Sequence, residues 1–269
     1  MKVPPGAVDT HMHFYDEKVP GKPGAPLPGH FDVAQYRALQ KHLGLERVIV
    51  VQPNAYRDDN SVTLAAMKQL GSAAKGVAVV RPNVADAELE RLTKAGICSV
   101  RIMTLHGATL GFDVMDEVMA RVHPFGWHPN IQLDGRELPK YEAQIKRLPG
   151  KFVIDHTGKF LEPVAPGHPA FRSLLNLVDT GRCWVKLSAP YETSKTGAPK
   201  YEDVSVLART LVKHAPERMM WASNWPHPTL RKPAPPDDAA LLELLADWAP
   251  DAKVQKKILV DNPAELYGF

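Results

Sequence analysis

Cysteine is almost missing from this chain. Cys98 and Cys183 are the two in 269 residues, far apart and each inside an apolar run (GICSVRIM and RCWVKL). That excludes a disulfide framework and a cysteine-based metal site, and it predicts two buried, reduced thiols. Long hydrophobic runs are also absent. None approaches the roughly 18 residues that span a bilayer, and the first residues, MKVPPGAVDTHMHFYD, carry no apolar stretch of secretory type. A soluble, reducing, cytoplasmic setting is the expectation. Blocks of like charge are lacking too: 33 basic and 30 acidic residues are interspersed and give a net charge of +3. Neither a nucleic-acid arm nor an acidic tail is indicated, so the expected partner is a small molecule, with no nucleic acid and no membrane.

What is present is a regular alternation. Apolar, β-branched runs suited to strands occur at GAVDTHMHF (6–14), RVIVVQP (47–53), GVAVVRP (76–82), SVRIMTL (99–105), NIQLDG (130–135), KFVIDHT (151–157), CWVKLSA (183–189) and MMWASNW (219–225). Between and after them, helical periodicity marks residues 33–43, 62–70, 86–96, 112–126, 141–148, 170–179, 204–215 and 237–249. Eight rounds of β then α predict an α/β fold, a (β/α)₈ TIM-like barrel forming a single domain over residues 1–269. No repeat or low-complexity linker interrupts it, and Pro-rich loops at 18–30 and 228–236 are long enough to cover a mouth.

In such a barrel the chemistry sits at the C-terminal ends of the strands. The polar residues there are Asp9, His11 and His13 (strand 1), Arg81 (strand 3), Arg101 and His106 (strand 4), and Gln132, Asp134 and Arg136 (strand 5). Asp155 and His156 follow on strand 6, Lys186 and Ser188 on strand 7, and Asn224 and His227 on strand 8. Residues i and i+2 of a strand share a face, so His11 and His13 face inward together, and two imidazoles on one wall make half of a metal site. His42, His123 and His214 lie in helical segments and read as structural or surface residues. Trp127 and Trp184 read as core.

The motifs VDTHMHF, VIDHTGK and WASNWPHP, with ERVIVVQP, GWHPNIQLDGRELP, LPGKFVIDH and WVKLSAPYETSK between them, resemble the lactone-processing branch of the amidohydrolase superfamily over essentially the whole chain. The resemblance implies an enzyme on a TIM-like barrel acting on an acidic lactone. In metal-dependent members the strand-1 histidines share the metal with a histidine from strand 5 or 6 and an aspartate ending strand 8, and binuclear members add a bridging Lys or Glu from strand 4. Here strand 5 has no histidine in NIQLDG, strand 4 has neither Lys nor Glu in SVRIMTL, and the strand-8 aspartate is replaced by Asn224. An amide binds a hard cation far less well than a carboxylate. The expectation is therefore no cofactor and no catalytic metal, which agrees with the metal-independent working of that branch; the remaining possibility is weak or adventitious zinc at His11, His13 and His156.

Asn224 cannot accept a proton at neutral pH, so it is no base for water. It can donate an N–H to a carbonyl or orient a hydroxyl through its C=O. Three accounts stay open. The nucleophile is a hydroxyl already on the substrate, a histidine serves as base in a hydrolase, or Asn224 is an inactivating substitution. The expected catalytic set is His11, His13, His156, Asn224 and Asp9, with imidazoles titrating near working pH and Asp9 orienting the His11 ring. Arg81, Arg101, Arg136, Lys186 and Lys195, together with Lys159, make a cationic set suited to a carboxylate. Tyr191 and His227 complete the expected substrate-binding residues, and Ser194 offers a further hydroxyl. The leading expectation is isomerisation of a galactarate-type 1,5-lactone to the 1,4-lactone by internal acyl transfer. The alternatives are hydrolysis of a carboxylated lactone such as 2-pyrone-4,6-dicarboxylate and, from another class, non-catalytic binding of a sugar acid.

Overall fold

The computed structural model describes residues 1–105, 107–229 and 235–269. Eight parallel strands follow in chain order: β1 (Val8–Met12), β2 (Arg47–Val51), β3 (Ala74–Ala78), β4 (Ile97–Met103), β5 (His128–Gln132), β6 (Phe152–Ile154), β7 (Cys183–Leu187) and β8 (Met219–Trp221). The outer helices are α1 (Val33–Leu43), α2 (Ser61–Leu70), α3 (Asp86–Lys94), α4 (Met115–Val122), α5 (Leu138–Arg147), α6 (Pro169–Val178), α7 (Glu202–His214) and α8 (Asp238–Trp248). The architecture is the expected (β/α)₈ barrel. Two further helices, α9 (Ala252–Lys256) and α10 (Asn262–Tyr267), lie beyond the eighth round.

Val8, Ile49, Val51, Val77, Val153, Trp184 and Met220 cluster together and are capped by Leu266 and Tyr267 of α10, so the C-terminal helix helps to close the bottom of the barrel. The larger cluster packs the strands against the helices. Trp127 and Trp184 are both 1% exposed core residues, and Cys98 and Cys183 are free thiols. Among the described residues no helix is long and apolar enough to cross a membrane.

Two local departures position the site. Neighbouring strands are paired from β1 through to β8, while the seam between β8 and β1 is sewn by bonds at and beyond the strand ends: Thr10 Oγ1 to the Trp221 carbonyl (2.8 Å), Asn224 N–H to the His11 carbonyl (2.9 Å) and His13 N–H to the Trp225 carbonyl (2.8 Å). In β1 the register shifts between Asp9 and Met12. Such a bulge breaks the strict alternation of faces, and Asp9 and His11 consequently point to different layers.

Candidate active site

A cavity of about 510 Å³ opens at the C-terminal ends of the strands. Its floor and walls include His13, Arg101, His156, Lys159, Glu192 and Asn224. Residues 24–26 and 28 of the first Pro-rich loop, with Pro228 and Thr229 of the second, form part of the rim. A broader hollow of about 840 Å³ beside β3 and β4 shares only Met103 with it and contains none of the histidines. The smaller cavity is therefore the candidate site. His106 and residues 230–234, including much of the second expected loop, lie outside the described residues.

The histidine protons can be assigned from their partners. His13 Nδ1 lies 2.7 Å from the Val51 carbonyl, which only accepts, so Nδ1 carries the proton and Nε2 a lone pair. His11 Nε2 is 3.2 Å from His13 Nε2 and must donate to it. The lone pair of His11 then sits on Nδ1, where the Lys186 ammonium donates across 3.3 Å. Both rings are neutral. Burial, reinforced by Arg101, drives His13 down to about 3, and burial with the Lys186 charge drives His11 well below the ordinary imidazole range. His156, whose Nδ1 meets Ser188 Oγ at 2.8 Å, is lowered likewise by burial and by His11 and Lys159. The expected titration near working pH is thus corrected: three desolvated rings under several cations stay neutral.

Lys186 is fully buried and lies beneath the histidines rather than on the cavity wall, 3.2 Å from Asp155 Oδ1. Burial alone would raise Asp155, but Lys186, His156 and Arg101 outweigh it and hold the carboxyl below its ordinary range. Asp155 also approaches His11 Nδ1 at 3.4 Å. The carboxylate beside the His11 ring is therefore Asp155, not Asp9. Asp9, turned outward by the bulge, accepts from the His11 and Ser223 backbone N–H groups and from the Ser223 and Tyr36 hydroxyls. It fastens β1 to β8 and α1.

His11, Asp155 and His156 bring ligand atoms within 4.8 Å of one another, the grouping a metal ion would use. The fit to a cation is poor. Lys186 already supplies the positive charge between Asp155 and His11, and its ammonium takes up the His11 Nδ1 lone pair that a metal ion beside Asp155 would need.

Asn224 adopts a left-handed conformation (φ 59°), as Asn tolerates. Its amide nitrogen donates to Tyr191 Oη (2.9 Å) and Glu192 Oε1 (3.2 Å). Because a carboxylate can only accept, the nitrogen must face Glu192, and Oδ1 is left without a hydrogen-bond partner among the described residues. Behind Asn224, Tyr191 Oη meets His227 Nδ1 at 2.8 Å and His227 Nε2 meets Asp238 at 3.1 Å. Neither Tyr191 nor His227 lines the cavity. Positive φ also recurs at His156 (54°), Thr157 (55°) and Lys159 (45°) after β6 and at Ala189 (49°) after β7. Strain of this kind in non-glycine residues collects at binding sites, and here it turns His156 and Lys159 toward one wall.

The cationic set divides. Arg101 is buried on the cavity wall, donating to the Gln52 carbonyl and to Gln132 Oε1 (both 2.9 Å), with Nε unpartnered among the described residues. Lys159 is buried there also, paired with Glu192. Arg81 pairs with Asp58, Arg136 with Asp134 and Lys195 with Glu162 (3.2 Å); all three are substantially exposed, and none lines the cavity. Ser194 is occupied by Asp203. Glu192, unremarked in APYETSK, joins the wall because the chain turns sharply at Ala189 and carries on past the strand end that sequence periodicity marks.

A family model described as amidohydrolase matches residues 8–269. The chain belongs to the amidohydrolase family. This amidohydrolase is 39% identical to D-galactarolactone isomerase of Agrobacterium fabrum (strain C58 / ATCC 33970), over 98% of this chain and 91% of the relative. It is 36% identical to a 2-pyrone-4,6-dicarboxylate hydrolase of Comamonas testosteroni, over 99% and 91%. An apo crystal structure of an Agrobacterium tumefaciens protein superposes with a TM-score of 0.93 at 37% identity, covering 99% of this chain and 97% of the other.

Proposed function

We propose that this amidohydrolase is an enzyme acting on a carboxylated lactone, converting a galactarate-type 1,5-lactone to the 1,4-lactone by internal acyl transfer and without a metal. The observation that carries the reading is the orientation of Asn224. Its N–H groups are engaged by Tyr191 and Glu192 on a side chain that lines the cavity, which leaves Oδ1 as an acceptor that can orient a hydroxyl and takes no proton. A hydroxyl on the substrate itself has a high effective concentration, so no strong water-activating base is required at position 224.

The other roles follow from chemistry. Arg101, with its planar fork and Nε, suits the carboxylate of the substrate. His156 meets Ser188 Oγ through Nδ1, and in the tautomer that carries its proton on Nε2 the neutral imidazole would hydrogen-bond the lactone carbonyl as its oxygen gains charge. His11, His13, Lys186 and Asp155 fix the floor. The donor set supplies no step through a metal, and the free thiols of Cys98 and Cys183 fit a reducing, cytoplasmic compartment.

A proton NMR time course of freshly made D-galactaro-1,5-lactone, corrected for spontaneous reaction, tests this. Enzyme-accelerated appearance of the 1,4-lactone is expected. Hydrolysis is the second reading, favoured by the 36% identity to a pyrone-dicarboxylate hydrolase, and would give the open diacid instead. No acceleration with either lactone class would contradict both and favour a sugar-acid binding protein.

A further inference from the structure

The reaction proposed above needs a group that takes the proton of the attacking hydroxyl. The histidines do not supply it. His13 has both ring nitrogens engaged, by Val51 and by His11. His11 is enclosed between His13, Lys186 and Asp155. His156 is required on the carbonyl side. Asp9 lies outside the barrel wall, and Asp155 lies beneath it.

Among the described residues that line the cavity there is one carboxylate, Glu192. Its Oε1 accepts from Asn224 Nδ2 (3.2 Å) and Thr229 Oγ1 (2.9 Å), and its Oε2 pairs with Lys159 Nζ. Both charged side chains are under 10% exposed, both line the same cavity, and the Asn224 amide links Glu192 to the place where a hydroxyl would be held. A buried ion pair does little for stability by itself, which makes a pair on the cavity wall a candidate for chemistry.

We infer that Glu192 and Lys159 form the proton-transfer pair of the site. The inference rests on the lactone reading above. As the hydroxyl oxygen bonds to the lactone carbonyl carbon, its proton passes to Glu192 and the carbonyl π pair moves onto the carbonyl oxygen. Collapse of that tetrahedral centre breaks the bond to the old ring oxygen, which receives a proton from Lys159. Lys159 regains its proton from Glu192 across their contact. The net change is one proton moved from the attacking to the leaving oxygen, with no co-reactant. The carboxylate missing from position 224 is thereby supplied by the loop after β7, displaced from the position where it would activate water on strand 8.

The test compares wild type, Glu192→Gln, Glu192→Ala and the charge-neutral double variant Glu192→Gln/Lys159→Met on D-galactaro-1,5-lactone and on 2-pyrone-4,6-dicarboxylate, with folding checked by circular dichroism. We expect kcat to fall by roughly 10²- to 10⁴-fold in Glu192→Gln, the range of a general base, with KM within a few-fold. Added formate and acetate should restore activity to Glu192→Ala, acetate the more strongly because it is more basic, and chloride should not. The double variant keeps the wall free of an unpaired charge and should fold yet stay inactive. A drop below about fivefold in Glu192→Gln or the double variant, or equal rescue by chloride, overturns the inference. Wild type that only opens the ring contradicts the isomerase reading, while the Glu192 comparison on that hydrolysis still decides the inference; wild type inert on both lactones removes the two together.

Discussion

The Asn224 amide nitrogen stands 3.2 Å from Glu192 Oε1, and that contact gives a physical reason for an amide at the end of β8. A carboxylate there would face another carboxylate in a buried wall. In Asn224→Asp the new carboxyl is therefore expected to ionise less readily than a free aspartate, because of like-charge repulsion. Its ratio of open diacid to 1,4-lactone should rise with pH, by about tenfold or more once the new group ionises and acts as a base for water. Product partition by proton NMR at several pH values checks it, and a ratio equal to wild type throughout contradicts the role given to Asn224.

The histidine tautomers are directly observable. With burial and neighbouring cations holding His11, His13 and His156 low, the neutral rings persist as pH falls from 8 to 5. Their contribution to stability is fully present above the ordinary imidazole pKa and is lost progressively as pH falls from there through the depressed values. Ring ¹⁵N spectra should show His13 protonated at Nδ1 and His11 at Nε2. An imidazolium signature for either at pH 6 would be incompatible with the network.

Removing Lys186 leaves Asp155 as an unpaired buried charge. Lys186→Met should destabilise the fold by about 3–5 kcal/mol, and Lys186→Met/Asp155→Leu should recover most of that loss. Urea unfolding of the three proteins measures it. Equal instability of the single and double variants would mean that charge pairing is not what Lys186 provides.

Asp9 is pushed up to about 6 by burial, against the hydrogen bonds from Ser223, His11 and Tyr36 that pull it down. A raised carboxyl favours the folded state fully below the unfolded value of 3.8, and this advantage is lost as pH rises through about 6. Asp9→Asn removes that dependence. Relative to the variant, wild type should lose up to about 3 kcal/mol between pH 4 and 7. Parallel pH–stability curves would refute the assignment.

Exposure to a strong chelator should leave turnover unchanged, because Lys186 already provides the cation between His11 and Asp155. Loss of activity that returns with zinc would overturn the metal-free reading.

The barrel was legible because alternation of two periodicities survives in every round, and all eight strands lie within or beside their expected segments. The site was legible where a candidate lies on or just past a strand end, as for His13, Arg101 and His156, which line the cavity, and for His11, which lies against His13 beneath it. Parity failed at Asp9, since a one-residue bulge leaves no mark on composition, and the strand-end position of Lys186 did not reveal its depth, fully buried beneath the cavity. Arg81, Arg136 and Lys195 looked equivalent to Arg101 in sequence. They differ because each has a nearby acidic partner at the surface, whereas Arg101 has amides and carbonyls inside. Glu192 escaped notice because its place depends on a turn at Ala189 that strand periodicity does not encode.

Internal acyl transfer is the central claim, and isotope labelling tests it most directly. With the 1,5-lactone turned over in H₂¹⁸O, mass spectrometry of the 1,4-lactone should find no ¹⁸O beyond the spontaneous background, because the attacking oxygen comes from the substrate. Incorporation of ¹⁸O above that background would mean that water opens the ring first, and the account of Asn224 would fail.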